Sequence, residues 1–295
     1  MAERKVLALL LAGLMAVALV QTASAQALYE AGEMQFRAPA VPESVSFAGQ
    51  TYRFDRPDLY ERMDRECMAF TYSHILSNLM LKRADRIFSQ VVPVLVKNGI
   101  PEDLKYLMAI ESNLDPKAIS VAGAAGLWQF MKTSAREAGL EVNDEVDERF
   151  HIAKATAAAC KYLKSAYEKY GDWMTVAASY NAGKGGISRR LEAQKQTSAL
   201  DLLLPEETSR YMFRVLTAKL FFEKPEDFGF RPEPGESYPY KAPRKTVEVK
   251  GPIPSLADFA KEHGTSFFLL REANPWLRSD RLTNKSGKTY FIAIP

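Results

Sequence analysis

The chain has 295 residues, of which 47% are hydrophobic and 25% are charged. This composition is typical of a globular protein, and the length suffices for one substantial core and a small second domain. The formal net charge of +3 is too weak a bias to indicate a nucleic-acid-binding protein. The 2 cysteines and 3 histidines lack metal-ligand spacing, so the sequence predicts neither a metal site nor a cofactor.

Residues 1–25 have the pattern of a secretory signal peptide. Arg4 and Lys5 precede an apolar run over residues 6–20, and the small residues Ala-Ser-Ala at 23–25 suit a cleavage site. An uncleaved membrane anchor is the alternative, although the run is short for a spanning helix. Since no Cys at the cleavage site could carry a lipid, we expect an exported, periplasmic protein without a stable membrane span, and leave its association with the cell wall or outer membrane open.

The predicted compartment decides whether the two cysteines could form a disulfide. Export allows Cys67 and Cys160 to form a disulfide. The sequence does not place their Cα atoms, so two buried free thiols are the alternative.

Residues 26–89 are predicted to form an N-terminal segment and scaffold helices. The part up to residue 56 is rich in Pro, Ser and Gly and shows no long periodic pattern. Between residues 58 and 98 an apolar stripe at helical spacing predicts a pair of helices, which Pro93 kinks or divides. His74 is interpreted as a packed or solvent-facing residue and not as a catalytic one.

A short predicted helix carries Glu111, the residue on which the predicted chemistry depends. Pro101 suits the first helical position, and Glu111 falls in the apolar stripe that follows. The sequence Asn-Leu-Asp-Pro at 113–116 ends the helix, because the residue before a proline avoids the α region. A carboxylate in such a stripe is desolvated, which raises its pKa and suits a general acid. A surface or salt-bridged glutamate is the alternative.

The wall segment, residues 123–130 (GAAGLWQF), follows this helix. Its small residues allow a close approach of the backbone, and its rings Trp128 and Phe130 flank the amide of Gln129. That composition favours a sugar-binding wall, with simple helix packing as the alternative.

Further helices are predicted in the second half of the domain. A helix over residues 133–138 precedes the longest uninterrupted helix, Ala153 to Tyr170, and Asp172 is expected to cap a third helix that reaches Tyr180. The last helix opens at Glu206 and carries Tyr211.

A Gly-rich turn at residues 181–186 follows Tyr180. It is not interpreted as a phosphate-binding loop, because no strand precedes it and neither phosphate-loop spacing is present. We expect it to hold Tyr180 and Asn181 at the helix end, facing Glu111 across a groove. An ordinary helix terminus is the alternative.

Four motifs occur in an order that resembles a known family: ES at 111–112, GAAGLWQ at 123–129, ASYNAG at 178–183 and ET-x-x-Y at 207–211. They resemble the lytic transglycosylases of the soluble-lytic-transglycosylase type, and the membrane-bound D subgroup looks most similar. Asp147-Glu148-Arg149 resembles the acidic-Arg signature of that family, although Phe150 stands where a Pro is usual.

The resemblance implies a mainly α protein, with a lysozyme-like helical catalytic domain at residues 90–225. A Pro-rich linker at 226–243 and a small α+β module at 244–295 follow. The module resembles a LysM glycan-binding domain in its strand-helix-helix-strand order and its Asn274, but has GPIP at 251–254 in place of the expected Gly-Asp-Thr. A structural cap on the catalytic domain is the alternative to glycan binding.

The resemblance also implies the reaction and its residues. Glu111 would act as acid and then as base, cleaving the β-1,4 bond between N-acetylmuramic acid and N-acetylglucosamine in peptidoglycan with formation of 1,6-anhydro ends. The substrate-binding residues carried over with it are Ser112, Gln129, Tyr180, Asn181 and Tyr211.

Two alternative functions stay open. A muramidase would hydrolyse the same bond, with Asp115 or Asp147 placing a water molecule. A non-catalytic wall-binding protein would use only its C-terminal module.

Overall fold

The computed structural model describes residues 37–285 and 287–295. The predicted signal peptide and the first part of the N-terminal segment therefore lie outside the described residues. A hairpin begins the described chain, formed by β1 (Ser44–Phe47) and β2 (Gln50–Arg53). Its turn has positive φ at Ala48 and Gly49, the conformation that suits a tight hairpin. The Tyr52 hydroxyl donates to Asp172 at 2.9 Å and so ties the hairpin to the helical body.

Two helices follow, α1 (Pro57–Tyr72) and α2 (His74–Lys97). The break lies at Ser73, and Pro93 lies inside α2, so of the two effects predicted for Pro93, a kink or a division, the division was wrong. Both Pro93 and Ser89, whose carbonyl loses its helical partner, are exposed, and water can solvate that carbonyl.

The Glu111 helix, α3 (Leu104–Ser112), begins three residues later than predicted. The amide of Leu104 donates to the Pro101 carbonyl at 3.1 Å, an i to i+3 bond that makes a separate tight turn before the α-helix. The helix ends as predicted, because Asn113 and Leu114 both have left-handed φ. Glu111 therefore lies in the last turn.

Five helices complete the helical body: α4 (Lys132–Glu137), α5 (Ile152–Tyr170), α6 (Trp173–Ala182), α7 (Lys184–Gln194) and α8 (Glu206–Glu223). Helix α5 has 19 residues and α2 has 24, so the prediction that α5 is the longest was wrong. The predicted cap of α6 is confirmed, since Asp172 accepts the amide of Thr175 at 2.9 Å. The predicted Gly-rich turn is mostly helical, because only Gly183, at φ 80°, separates α6 from α7.

A hydrophobic core joins these helices. Helix α8 packs on α1, α3 and α6, and thus lies in the centre of the body. Cys67 and Cys160 are buried free thiols in this core, and burial raises their pKa values to about 12 and about 11.

The first residues of the predicted linker pack on the helical body. Phe228 and Phe230 are buried and contact the ring of Phe221. Further along, the Tyr238 amide donates to the Lys82 carbonyl at 2.7 Å. This stretch is therefore attached to the helices at two places.

The C-terminal module has the predicted element order, with β3 (Lys245–Val249), α9 (Leu256–Glu262), α10 (Phe267–Ala273) and β4 (Tyr290–Ile294). The two strands pair antiparallel in a register that sets Lys245 opposite Ile294. Asn274 is buried, and its side chain bonds Ala293 in both directions, as donor at 2.7 Å and as acceptor at 2.9 Å. The expected fold class, mainly α with a small α+β module, is confirmed. Within residues 37–285 and 287–295, no helix is both long and apolar enough to cross a membrane.

Candidate active site

Glu111 lies half-buried at the end of α3, with Leu107, Met108 and Leu114 of the same apolar stripe buried behind it. Burial raises the pKa of Glu111 to about 7, because a carboxylate loses solvation there. A hydrogen bond from Tyr211 lowers this pKa, and the nearby charge of Glu207 raises it. The group is thus poised to give up a proton and to take one back near neutral pH.

Tyr211 is the residue that holds the Glu111 carboxylate. It is buried in α8, and its hydroxyl donates to Glu111 Oε1. Burial and the Glu111 charge raise the pKa of Tyr211 well above its usual value, so the phenol stays protonated and remains a donor. This contact points the Tyr211 hydroxyl at Glu111, and a contact of Tyr211 with substrate stays a prediction.

Tyr180 lies in the last turn of α6, within electrostatic range of Glu111. Its hydroxyl donates to the Trp128 carbonyl at 2.7 Å, and its ring meets Tyr162 edge-on at 5.3 Å between centroids. Burial raises the pKa of Tyr180 well above its usual value, and the Glu111 charge raises it further. Tyr180 thus joins the wall segment to the helix that faces Glu111.

Asn181 connects α6 to the start of α8. Its Oδ1 accepts the Thr208 hydroxyl at 2.7 Å, and its Nδ2 lies 3.5 Å from Glu207 Oε1. Two motifs that are far apart in sequence therefore meet at this residue.

The side chains of Gln129 and Ser112 both bond backbone carbonyls, but they differ in their exposure. Gln129 has a left-handed φ of 47°, is half-buried, and donates from Nε2 to the Gly126 carbonyl at 2.8 Å. Ser112 is buried, and its hydroxyl donates to Met108 inside its own helix at 3.3 Å. Tyr211 bonds Glu111 directly, the Glu111 charge acts on Tyr180, and Asn181 contacts Glu207, whose charge acts on Glu111. Gln129 bonds the backbone of its own segment, and the Ser112 hydroxyl is turned into its helix.

The two rings of the wall segment do not form an exposed sugar platform, which corrects that expectation. Trp128 is fully buried and donates from Nε1 to Thr156 at 2.9 Å, and Phe130 is buried as well. These rings support the wall from behind because they belong to the helical core. Gly126 shows why the segment needs glycine, since a Cβ there would stand 1.9 Å from the Arg149 carbonyl oxygen.

Two charged residues near Glu111 had no assigned role in the sequence interpretation. Glu207 and Arg214 both act electrostatically on Glu111. They lie four residues before and three residues after Tyr211 on α8, a spacing that sets side chains on one helix face. That spacing is the signal that could have identified them. Within residues 37–285 and 287–295, no group of three or more His, Cys, Asp or Glu side chains is placed to bind a metal ion.

Family models match both parts of the chain. Residues 95–202 match the transglycosylase SLT domain, and residues 245–295 match the soluble lytic transglycosylase C-terminal LysM-like domain. The chain thus carries an SLT domain of the lytic transglycosylases followed by a LysM-like domain, as the motifs predicted.

Two curated proteins that are similar to this chain are named as transglycosylases. Membrane-bound lytic murein transglycosylase D of Escherichia coli K12 is 28% identical over 216 residues, which cover 71% of this chain and 46% of that protein. Peptidoglycan transglycosylase gp16 of Escherichia phage T7 is 35% identical over 123 residues, or 40% of this chain and 9% of that protein. The chain spans about half the length of the first of these relatives.

Solved structures of two lytic transglycosylases resemble the chain. An inactive mutant of Slt from Pseudomonas aeruginosa has a TM-score of 0.40 at 20% identity, covering 52% of this chain and 26% of that one. The 70 kDa soluble lytic transglycosylase from Escherichia coli has a TM-score of 0.43 at 16% identity, covering 61% of this chain and 33% of that one.

Proposed function

We propose that this protein is a peptidoglycan lytic transglycosylase, which cleaves the β-1,4 bond between N-acetylmuramic acid and N-acetylglucosamine and leaves 1,6-anhydro ends. The observation that carries the proposal is Glu111, a half-buried carboxyl group with a pKa of about 7 that the Tyr211 hydroxyl holds in place. The SLT domain and the curated relatives support the same reaction class.

In the first step the protonated Glu111 donates its proton to the glycosidic oxygen as the bond between that oxygen and C1 of the muramic acid breaks. Positive charge then develops at C1, which the acetamido group of the substrate can stabilise. Glu111 becomes a carboxylate at this point, and the Tyr211 hydrogen bond stabilises that charged form.

In the second step Glu111 acts as the base. It takes the proton from the C6 hydroxyl of the muramic acid, whose oxygen attacks C1 and closes the anhydro ring. No water enters the product, and Glu111 regains its starting protonation state. A side chain with a pKa near the working pH serves both steps, since it is a usable acid and its conjugate base is a usable acceptor.

The remaining predicted residues divide into two groups in this proposal. Gln129 and Asn181 are half-exposed amides that already bond Gly126 and Thr208, and in this proposal their remaining hydrogen-bonding capacity serves sugar hydroxyl and acetamido groups. Tyr180 and Ser112 have hydroxyl groups bonded to the protein backbone, and so would shape the site from within. The proposed substrate lies outside the inner membrane, consistent with the export predicted from residues 1–25.

Fragments released from purified peptidoglycan, identified by mass spectrometry, test this proposal. We expect anhydro-terminated fragments from the wild type and almost none from Glu111→Gln, because general acid catalysis typically contributes roughly 10² to 10⁴ in rate. Binding of the variant to peptidoglycan should persist. Fragments from Glu111→Gln at the wild-type rate would contradict the assigned role.

A muramidase is the second candidate, and Glu207 is the observation that favours it. This exposed carboxylate lies close enough to act electrostatically on Glu111, and a second carboxylate is what hydrolysis by an inverting or retaining route requires. Asp115 and Asp147, the two acids that the sequence suggested for this role, are bonded to other residues. Both Asp147 oxygens accept from Arg149, and Asp115 accepts the Lys117 amide and pairs with Arg83.

Product ends separate the two candidates. Free reducing ends that disappear in Glu207→Gln would establish hydrolysis. Anhydro ends that persist in Glu207→Gln would assign the reaction to Glu111 alone.

A further inference from the structure

The C-terminal module is joined to the helical body by an isolated antiparallel β-bridge and the backbone hydrogen bonds that flank it. The docking segment, residues 145–149, runs antiparallel to residues 276–278 of the module, with a bridge between Val146 and Leu277. The Arg278 amide donates to the Glu145 carbonyl at 2.7 Å, and the Asp147 amide donates to the Trp276 carbonyl at 2.8 Å. Main-chain pairing of this kind fixes both the distance and the register of the two segments.

The Glu145 side chain adds a second connection. Its Oε2 accepts from the amide of Thr283 at 2.7 Å and from the Thr283 hydroxyl at 2.9 Å. Further along the boundary, Glu141 accepts from Lys288 Nζ at 3.0 Å and from the Tyr290 hydroxyl.

The two parts also share a hydrophobic core. Ala125, Val146 and Phe150 of the helical body are buried in the same cluster as the core of the module. The Arg278 guanidinium lies 4.6 Å from the centroid of the Phe150 ring. A module joined in this way moves with the catalytic body, unlike a domain on a flexible tether.

The docking segment in turn holds the wall segment. Asp147 and Arg149, which are 6% and 4% exposed, form a bidentate ion pair, with Arg149 Nε and Nη2 each donating to one carboxylate oxygen at 2.9 and 2.7 Å. Arg149 Nη1 then donates to the carbonyls of Gly123 and Phe130 at 2.8 and 3.0 Å. One guanidinium therefore fixes both ends of residues 123–130.

The wall segment leads to the site. The Trp128 carbonyl accepts a hydrogen bond from the Tyr180 hydroxyl. Tyr180 in turn lies within electrostatic range of Glu111. A displaced docking segment would shift Arg149, the wall segment and the Tyr180 contact together.

We propose that the C-terminal module is a positioning element of the active site, and that it acts through Arg149 on the wall segment. This inference rests on the proposed transglycosylase function for its catalytic consequence. A bound partner is not required, because the connection runs entirely within the chain. The module also has a surface cavity of about 450 Å³, lined by residues such as Ser255, Phe267 and Asp280, which do not bond the helical body. A glycan held there would only tether the enzyme to its substrate, and the test must separate tethering from positioning.

The test compares Glu145→Ala with Asp144→Ala in the full chain. Glu145→Ala removes both side-chain bonds to Thr283, whereas Asp144 is an exposed neighbour with none. Rates are measured on polymeric peptidoglycan and on soluble glycan oligomers too short to reach both parts. We expect kcat to fall roughly tenfold or more for Glu145→Ala on both substrates, since a small misplacement of a substrate wall has effects of that order. Asp144→Ala should keep the wild-type kcat.

Two outcomes overturn the inference. A Glu145→Ala variant with an unchanged kcat on the oligomers and a raised KM only on the polymer would assign the module to tethering. A folded variant with wild-type rates on both substrates would leave the docking contacts without a catalytic role. Thr283→Val, which removes one hydroxyl bond and keeps the amide, serves as the milder variant if Glu145→Ala does not fold.

Hydrogen exchange separates this inference from the proposed function. We expect the amides of Ala125 and Gly126, which donate within and beside the wall segment, to exchange faster in Glu145→Ala and at the wild-type rate in Asp144→Ala. This result holds whether or not the protein cleaves peptidoglycan. Unchanged exchange at these amides in Glu145→Ala would show that the module does not hold the wall segment.

Discussion

At the scale of single residues, Glu111 shows how a site can be predicted from local pattern. Its position in the last turn follows from a periodic stripe and the Asn-Leu-Asp-Pro stop, both of which lie within a few residues. The contact with Tyr211 joins residues 100 positions apart, and only the motif resemblance pointed to it. The direction of the Ser112 side chain could not be predicted, because a helix spacing gives its face but not its rotamer.

The Tyr211 hydroxyl lowers a Glu111 pKa that burial raises, and so affects the pH range of the proposed activity. The proposed first step needs protonated Glu111, so kcat/KM should fall as the pH rises through about 7 in the wild type. Tyr211→Phe removes a bond that lowers the Glu111 pKa, and the fall should therefore move to higher pH, with a lower maximal rate. A pH profile of kcat/KM checks this.

Tyr162→Phe is the control for that profile, since its hydroxyl donates to the Ser179 carbonyl and not to Glu111. The control should keep the wild-type pH of half-maximal activity. A profile of Tyr211→Phe that shifts to lower pH would contradict the role given to this hydroxyl.

The burial of Glu111 should also be visible in stability. A carboxyl group whose pKa is raised on folding contributes stability that is present below its unfolded value and lost as the pH rises through about 7. Glu111→Gln cannot ionise, so we expect it to be more stable than the wild type at pH 8, by on the order of 1 to 3 kcal/mol, and similar at pH 4. Denaturant unfolding at the two pH values measures the difference.

Glu168→Gln, at an exposed position on α5, is the comparison for that experiment, because the Glu168 charge is not among those that shift the Glu111 pKa. It should show little change between the two pH values. An advantage of Glu111→Gln that is equal at pH 4 and pH 8 would mean that its origin is not ionisation.

At the scale of elements, the wall segment depends on one close backbone approach. Gly126 and Gly123 both have positive φ, but only Gly126 has a neighbour in the way, since a Cβ added there would lie 1.9 Å from the Arg149 carbonyl oxygen. We expect Gly123→Ala to cost about 1 kcal/mol through its backbone conformation. Gly126→Ala carries the same strain and must also displace the docking segment, so it should cost several kcal/mol, on the scale of other severe packing errors.

Free energies of unfolding for these two variants check the prediction, and their difference isolates the steric term from the backbone term. Equal losses of stability would indicate that the docking segment can move away without penalty. Loss of activity in Gly126→Ala that exceeds its loss of folded protein would agree with the positioning role of the module.

Helix boundaries could be predicted where a few neighbouring residues determine them. They were harder to predict where they depend on solvent exposure or on packing against distant residues. The Asp172 cap and the left-handed end of α3 follow from short sequence signals. Pro93 lies inside α2 because its face of the helix is exposed, and exposure is a tertiary property. Lys184 begins a helix directly after Gly183, since one residue with positive φ is enough to turn the chain.

At the scale of the whole molecule, the sequence predicted two parts and left a structural cap on the catalytic domain open as an alternative, but it did not indicate which residues attach the module. The contacts of Glu145 with Thr283 and of Asp147 with Trp276 join residues 138 and 129 positions apart, and no periodic pattern encodes such pairings. The composition of residues 226–243 favoured an extended linker, which concealed the packing of Phe228 and Phe230. A Pro-rich composition limits regular structure but does not prevent single aromatic residues from being buried.

The attachment gives the molecule one continuous path from the C-terminal module to the catalytic acid. It runs from Trp276 through Asp147 and Arg149 to the wall segment, and from there through Tyr180 towards Glu111. In the proposed enzyme the helical body supplies the acid and the module supplies part of its support.

The most direct test of the central claim is digestion of purified peptidoglycan in water enriched in heavy oxygen, followed by mass spectrometry of the new glycan ends. If Glu111 serves as both acid and base, the C6 oxygen of the sugar closes the ring, and the new ends should be anhydro and free of the heavy isotope. Reducing ends that carry heavy oxygen would show that water attacks C1, and would contradict the transglycosylase mechanism.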